Sequence, residues 1–235
     1  MAQLTDEAYT SIKGTTDSEC CFGLLLTNLS KDGMAPKGAS PFEQKEPFGH
    51  DRLYHAVKRT IRQLEHILKI SGVAATHEAP SRMNFTLTDG ETVVCSRFCD
   101  QYPRVAPPSL YFAYGDATQM QQELCDDENN GNDDQHSSDD GSTDENGDNE
   151  YDAVEQDLSF QQSLPGKLLK EVDPATSAFI VASDPLTKAS SEISWHRIAA
   201  NSILCYTSGS IPRLYKLNVG GAKRPEDYAF FLVDF

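Results

Sequence analysis

The chain has 235 residues, with 36 Asp and Glu against 20 Lys and Arg, for a formal net charge of −16. Residues 126–157 hold 14 of those acids and no Lys or Arg, so the rest of the chain, with 22 acids against 20 bases, is nearly neutral. This pattern excludes a general nucleic-acid binder, which needs a basic footprint, and no apolar run reaches the ~18 residues of a membrane-spanning helix.

The start of the chain, MAQLTDEAYTS, has neither a basic n-region nor an apolar h-region, and its acids and lack of Arg argue against a transit peptide. Six cysteines, two of them adjacent at Cys20 and Cys21, are too few for a disulfide scaffold. The expected setting is therefore reducing, cytoplasmic or nuclear. Asn28-Leu-Ser30 and Asn84-Phe-Thr86 match the glycosylation pattern but carry no meaning in such a compartment.

The first predicted element is a helix opened by Thr16-Asp-Ser-Glu19. In this capping box the Thr16 side chain accepts from the Glu19 N–H, and Glu19 reaches back to the Thr16 N–H. Cys21, Phe22, Leu25, Leu26 and Leu29 follow on one helical face. Burying Phe22 and the three leucines is worth at most roughly 6–12 kcal/mol. Pro36, Gly38 and Pro41 mark a loop. A second, amphipathic helix is predicted over 51–71, with Leu53, Val57, Ile61, Leu64 and Leu68 at steps of three and four and Gly72 to end it.

Strands are predicted over 83–88 and 91–98, joined by Asp89-Gly90 in a type I′ hairpin turn. Further strands are expected over 109–114, 178–183, 202–206, 213–218 and 228–233. The acidic tract separates two folded parts, about 10–115 and 165–235, and no internal repeat is present. Two long helices with many strands indicate an α+β fold with mostly antiparallel sheets.

The tract itself, 126–157, contains no Leu, Ile or Phe and a single Val, so it is expected to be a disordered insert. A flexible segment of that length spans about 30 Å on average. Asp144, Asn146, Asp148 and Glu155 match an EF-hand loop except that Asn149 stands where glycine is needed, and no amphipathic helix precedes them. Ser137, Ser138, Ser142 and Thr143 sit among acids as candidate phosphorylation sites.

The chemistry-bearing residues are sparse. Cys95-x-x-x-Cys99 lacks a second pair and is a poor zinc site. Cys20 and Cys21 fall in a helix's first turn, where the dipole lowers a thiol pKa; they are read either as weak nucleophile candidates or as small core residues. His50, His55, His66, His77, His136 and His196 form no metal spacing, and neither a nucleophile elbow nor a phosphate-binding loop is present.

Four segments in order resemble class II glutamine amidotransferases. They are Lys13-Gly-Thr-Thr-Asp-Ser-Glu-Cys-Cys-Phe-Gly-Leu-Leu-Leu, Asn84-Phe-Thr-Leu-Thr-Asp-Gly-Glu-Thr-Val-Val-Cys-Ser-Arg97, Ser109-Leu-Tyr-Phe-Ala-Tyr-Gly115, and Val181-Ala-Ser-Asp-Pro-Leu-Thr187 with Trp195 and Asn201-Ser-Ile-Leu204. The resemblance covers most of 10–207, skips the acidic insert, and is strongest to the amidotransferase subunit of the fungal glutathione-degrading complex. The amidohydrolase of bacterial ergothioneine biosynthesis is a cousin.

The resemblance implies an N-terminal-nucleophile hydrolase fold, an αββα sandwich of antiparallel sheets between helix layers. In that family a cysteine freed by removal of the initiator Met attacks a γ-glutamyl amide. Its amine is the base, and an Asn-Gly pair after a His forms the oxyanion hole. The acid of the T-D-S-E motif binds the substrate's α-ammonium group, and an upstream Arg holds the carboxylate. Here Asp17 matches the ammonium-binding acid, with Thr16 assisting through its carbonyl.

Position two is Ala2, and no His-Asn-Gly occurs anywhere. The chain thus reads as the C-terminal part of the domain, 1–235, with no catalytic residue of its own and with sheet edges left open. The implied partners are a γ-glutamyl substrate, glutathione or glutamine, and a metallopeptidase-like protein subunit; no cofactor or metal is implied. Two alternatives stand beside a piece of a γ-glutamyl amide hydrolase. One is a catalytically inactive paralogue serving as a binding or regulatory subunit, and the other is a separate enzyme using Cys20 or Cys21.

Overall fold

In the computed structural model the described residues are 4–31, 40–71, 80–129, 173–187 and 192–217. Pro36, Gly38, Gly72, the acidic tract from 130 onward with its calcium-like and phosphorylation motifs, and the strand expected over 228–233 lie outside them. Helices α1 (Asp6–Ser11), α2 (Asp17–Ser30), α3 (His50–Ile70) and α4 (Ala117–Asn129) accompany strands β1 (Thr86–Thr88), β2 (Thr92–Arg97), β3 (Tyr111–Asp116), β4 (Ser177–Ala182), β5 (Trp195–Arg197), β6 (Ser202–Thr207) and β7 (Arg213–Lys216). The strands form two sheets, ordered β1-β2-β6-β7 and β4-β3-β5, and every pairing is antiparallel. The α+β reading therefore holds, and the segments on either side of the acidic tract are interleaved rather than separate.

Strand alternation builds the layers. Val94, Ile203 and Cys205 point to one face of the four-stranded sheet and pack with Leu25, Leu26 and Leu29 of α2 and Leu53, Val57 and Ile61 of α3. Val93, Cys95 and Leu204, one residue out of phase, face the second sheet and pack with Phe112, Phe179 and Val181. The first sheet is thus covered on both sides, which explains the nearly continuous apolar character of β2 and β6. On the outer side of the second sheet, α4 contacts β3 and β4, with the Met120 sulfur over Gly115. The order is helix pair, sheet, sheet, helix.

A buried arginine joins the sheets. Arg97, only 2% exposed, donates from Nε to the Pro108 carbonyl at 2.8 Å, from Nη1 to Ile198 at 2.8 Å and from Nη2 to Pro107 at 3.0 Å. Arg97 closes β2 of the first sheet, whereas 107–108 lead into β3 and Ile198 follows β5 of the second. Nearby, Asn201 adopts a positive φ of 50° and engages the backbone of Cys99 both ways, Oδ1 accepting from its N–H at 2.9 Å and Nδ2 donating to its carbonyl at 3.2 Å.

Several local expectations are corrected. The β1–β2 hairpin forms, but only Gly90 has positive φ, so the turn is not type I′. Its Asp89 carboxylate accepts instead from the Glu91 and Thr92 N–H groups and, across the fold, from those of Phe48 and Gly49, anchoring the approach to α3. Phe22 is not core: it is 50% exposed, whereas Leu24 is 4% exposed. The reason is that α1 covers a second side of α2. A Cβ at Gly23 would lie 3.1 Å from the Ile12 methyl carbon, and Thr27 Oγ1 accepts from the Thr5 N–H. Helices α1 and α4 and strand β5 were not expected, and the last turn of α4 enters the first four residues of the acidic tract.

Replacing Arg97 with Met leaves the Pro107, Pro108 and Ile198 carbonyls without these donors, at about 1–3 kcal/mol for each buried one. The expected loss in chemical denaturation is on the order of 3–5 kcal/mol, against a total of about 5–15 kcal/mol for a domain. Arg97→Lys, a charge without the planar fork, should fall between the two.

Candidate functional site

The first turn of α2 brings the sequence-selected residues together. Thr16 is the N-cap, and its hydroxyl oxygen accepts from the Glu19 N–H at 3.3 Å. The reciprocal half of the capping box does not form. Glu19 reaches further upstream and accepts from the N–H groups of Lys13 at 2.7 Å and Gly14 at 2.8 Å, tying down the segment before the helix. Asp17, the first helical residue, is exposed, and its Oδ1 accepts from the Ser18 N–H at 2.7 Å. Its second carboxylate oxygen has no partner among the described residues. A carboxylate here gains from the positive end of the helix and presents a free oxygen to solvent, an arrangement suited to a cation.

Beside this turn lies a groove of about 240 Å³ bordered by Ser18, Cys21 and Phe22 of α2, Thr60 of α3, and Asn84 and Leu87. Phe22, misassigned to the core, is thus part of its wall. A larger cleft of about 400 Å³ sits at the far end of α3. Lys69 is bound to Glu65 there at 2.6 Å, Asp100 accepts from the Ser81 N–H, and the cleft holds no Cys, Ser or His. The smaller groove is the one adjoining the selected residues.

The cysteine expectation reverses. Burial pushes the Cys21 thiol up, and the Asp17 carboxylate and Cys20 push it in the same direction, so the helix terminus does not activate it. Burial also drives Cys95 up to about 12 and raises Cys205. No group of three or more His, Cys, Asp or Glu suited to a metal exists among the described residues. His50 Nε2 lies 2.7 Å from the Tyr215 hydroxyl, and the His196 ring packs 5.3 Å from that of Phe112. His77 and His136 lie outside the described residues.

The other motif residues serve the scaffold. Arg97 and Asn201 have the roles given above. Asn84 accepts from the Phe98 N–H and donates to the Pro108 carbonyl, and the Trp195 indole N–H donates to Thr187 Oγ1 at 3.0 Å. Sequence reasoning missed Ser18, whose amide orients Asp17; its only signal was its place inside the capping box. No helix among the described residues is long and apolar enough to cross a membrane.

Along most of its length the chain is similar to a glutamine amidotransferase. The relative is the probable glutamine amidotransferase DUG3 of Saccharomyces cerevisiae, 30% identical over 202 residues, which cover 86% of this chain and 43% of the relative. The chain thus spans less than half the length of that relative. No family model matches the chain, and no solved structure matches it significantly.

Two pH- and charge-linked outcomes follow from the geometry. Burial lowers the pKa of both His50 and His196 below the ordinary 6.5, with Asp51 opposing and Arg213 and His55 assisting the shift at His50. The fold therefore prefers both neutral. Their contribution to stability is complete above the unfolded value of 6.5 and is lost as the pH falls through the lowered folded values. Urea denaturation at about pH 7.5 and about pH 5 should show a drop on acidification that shrinks in His50→Gln and His196→Gln. Separately, Asp17→Asn removes one of the charges that raise the Cys21 thiol and should speed its alkylation at neutral pH.

Proposed function

We propose that this chain supplies the substrate-ammonium site of a class II, N-terminal-nucleophile glutamine amidotransferase that hydrolyses a γ-glutamyl amide. Glutathione is the favoured substrate and glutamine the parent one. The similarity to the yeast amidotransferase supports the class, and the layered antiparallel sheets are compatible with the fold. The observation that carries the site is Asp17: a carboxylate at a helix N-terminus, fixed by the Ser18 amide, with one oxygen open to solvent beside a groove.

In this reading Asp17 pairs with the α-ammonium of the γ-glutamyl group, and Thr16 assists through its carbonyl. The pairing selects substrates with a free α-amine and orients the distal amide. No His-Asn-Gly occurs among the 235 residues, and this reading assigns neither the nucleophilic cysteine, nor its amine base, nor the oxyanion hole to a residue of this chain. In this reading the natural setting is the cytoplasm, and the partner is a metallopeptidase-like subunit.

A second reading is a catalytically inactive paralogue acting as a binding or regulatory subunit, favoured by the missing His-Asn-Gly. The two separate in one experiment on the endogenous protein, by N-terminal peptide mass spectrometry alongside glutamate release from glutathione and glutamine. The first reading expects a mature N-terminal cysteine upstream of Met1 and glutamate release. Asp17→Asn should lower kcat/KM about 10- to 100-fold, the loss of one charged hydrogen bond. A protein beginning at Met1 or Ala2 that releases no glutamate supports the second reading. Release unaffected by Asp17→Asn removes the assignment of Asp17.

A further inference from the structure

We infer that Glu19 is a positioning residue for the ammonium site: its carboxylate latches the segment ahead of α2 so that Asp17 stays turned outward. The inference rests on the reading of Asp17 given above and adds the group that sets its direction. Asp17 and Glu19 lie in the same helical turn but have opposite duties. Asp17 is exposed and keeps one carboxylate oxygen without a partner among the described residues. Glu19 is half-buried, and both of its oxygens are engaged. Oε1 accepts from the Lys13 N–H at 2.7 Å and Oε2 from the Gly14 N–H at 2.8 Å, two successive amides converging on one anion. Hydrogen bonds to an ionised acceptor are roughly twice as strong as neutral ones.

The latch closes a short loop. Glu19 also donates its own N–H to Thr16 Oγ1, so it grips the segment at both ends, by its amide at Thr16 and by its carboxylate at Lys13 and Gly14. Thr16 is extended, with φ −77° and ψ 145°, and its carbonyl accepts the first helical bond from the Cys20 N–H at 3.3 Å. The direction of Asp17 follows from how this segment enters the helix. Gly14 carries the matching signature. A Cβ there would collide with Glu19 Oε2, so the carboxylate fills the space that a side chain would need. The latched segment also disposes of Lys13, the cation nearest to Asp17 in sequence. Its ammonium donates to the Thr10 carbonyl of α1 at 2.8 Å, which leaves the open Asp17 oxygen for an ammonium from outside.

The test uses the full chain. Ligand-observed NMR reads the affinity for L-glutamine, with N-acetyl-L-glutamine as the control that lacks the ammonium. Hydrogen exchange at the Lys13 and Gly14 amides reads whether the latch is closed. Glu19→Ala should speed both exchanges and weaken L-glutamine binding about tenfold, since a small misplacement of a binding group costs up to about a hundredfold. Glu19→Gln, which keeps one acceptor oxygen, should recover part of that loss. Gly14→Ala keeps both acids but displaces the Glu19 carboxylate, and should weaken binding to a similar degree. The amide resonances of Val94 and Leu204 in the central strands should stay in place in all three, which separates a moved site from an unfolded chain. Should Glu19→Ala fail to fold, Gly14→Ala decides. Faster exchange at Lys13 and Gly14 with wild-type affinity, in either alanine variant, overturns the positioning role. So does a loss in Glu19→Gln equal to that in Glu19→Ala with Gly14→Ala unaffected, which assigns Glu19 a charge effect alone. In both cases the wild type still binds L-glutamine, so the reading of Asp17 stands. A wild type that binds both compounds equally, or neither, defeats the Asp17 reading and this inference with it.

Discussion

Arg97 sits where the two sheets meet, and its guanidinium group is shared among three carbonyls from the other sheet's flanking segments. Burying a cation is unfavourable unless its donors are met, and here fixed carbonyl dipoles meet them. The result is directional as well as stabilising. Hydrophobic contacts between Phe112, Leu204 and Val181 tolerate sliding, whereas a planar fork aimed at the carbonyls of Pro107, Pro108 and Ile198 fixes one register between the sheets. Asn201 extends this lock by holding both backbone groups of Cys99.

That constraint reaches the candidate site through the first sheet. Held on one face by the second sheet, it offers the other face as a fixed bed for α2 and α3. The seam between those helices is itself polar and specific: Asn28 donates to Thr60 at 2.9 Å and to Gln63 at 2.8 Å. Asp89 anchors the entry to α3, and Glu19 anchors the entry to α2. The α2 first turn is left at the margin of this bed, rigid from below and open above. Many of the motif residues whose partners are described are spent on scaffold contacts, and Asp17, at this first turn, faces solvent with a free oxygen.

What was legible in the sequence follows the strength of local signals. Helices α2 and α3 announced themselves by a capping residue and by long periodic stripes, and β2 and β6 by apolar runs. Phe22 shows where periodicity misleads. It fits the stripe, but the buried side of α2 is turned toward Leu24 and Gly23 because α1 packs there, and a six-residue helix has too little pattern to be read. Strand β5 has three residues and exists only through its pairing with β3. The structural reason for Arg97 was equally hidden, since its acceptors Pro107 and Ile198 lie ten and 101 residues away. Asp17 was found through its motif, whereas the fate of the Cys21 thiol depended on burial that no spacing reveals.

Asp17 as a receptor for an α-ammonium group is tested most directly by amide NMR at the neighbouring Ser18 N–H, which donates to the Asp17 carboxylate. Titration with L-glutamine should move the Ser18 amide resonance saturably, and N-acetyl-L-glutamine, identical but for the missing ammonium, should leave it in place. Equal responses to the two compounds, or no response to either, would contradict the assignment.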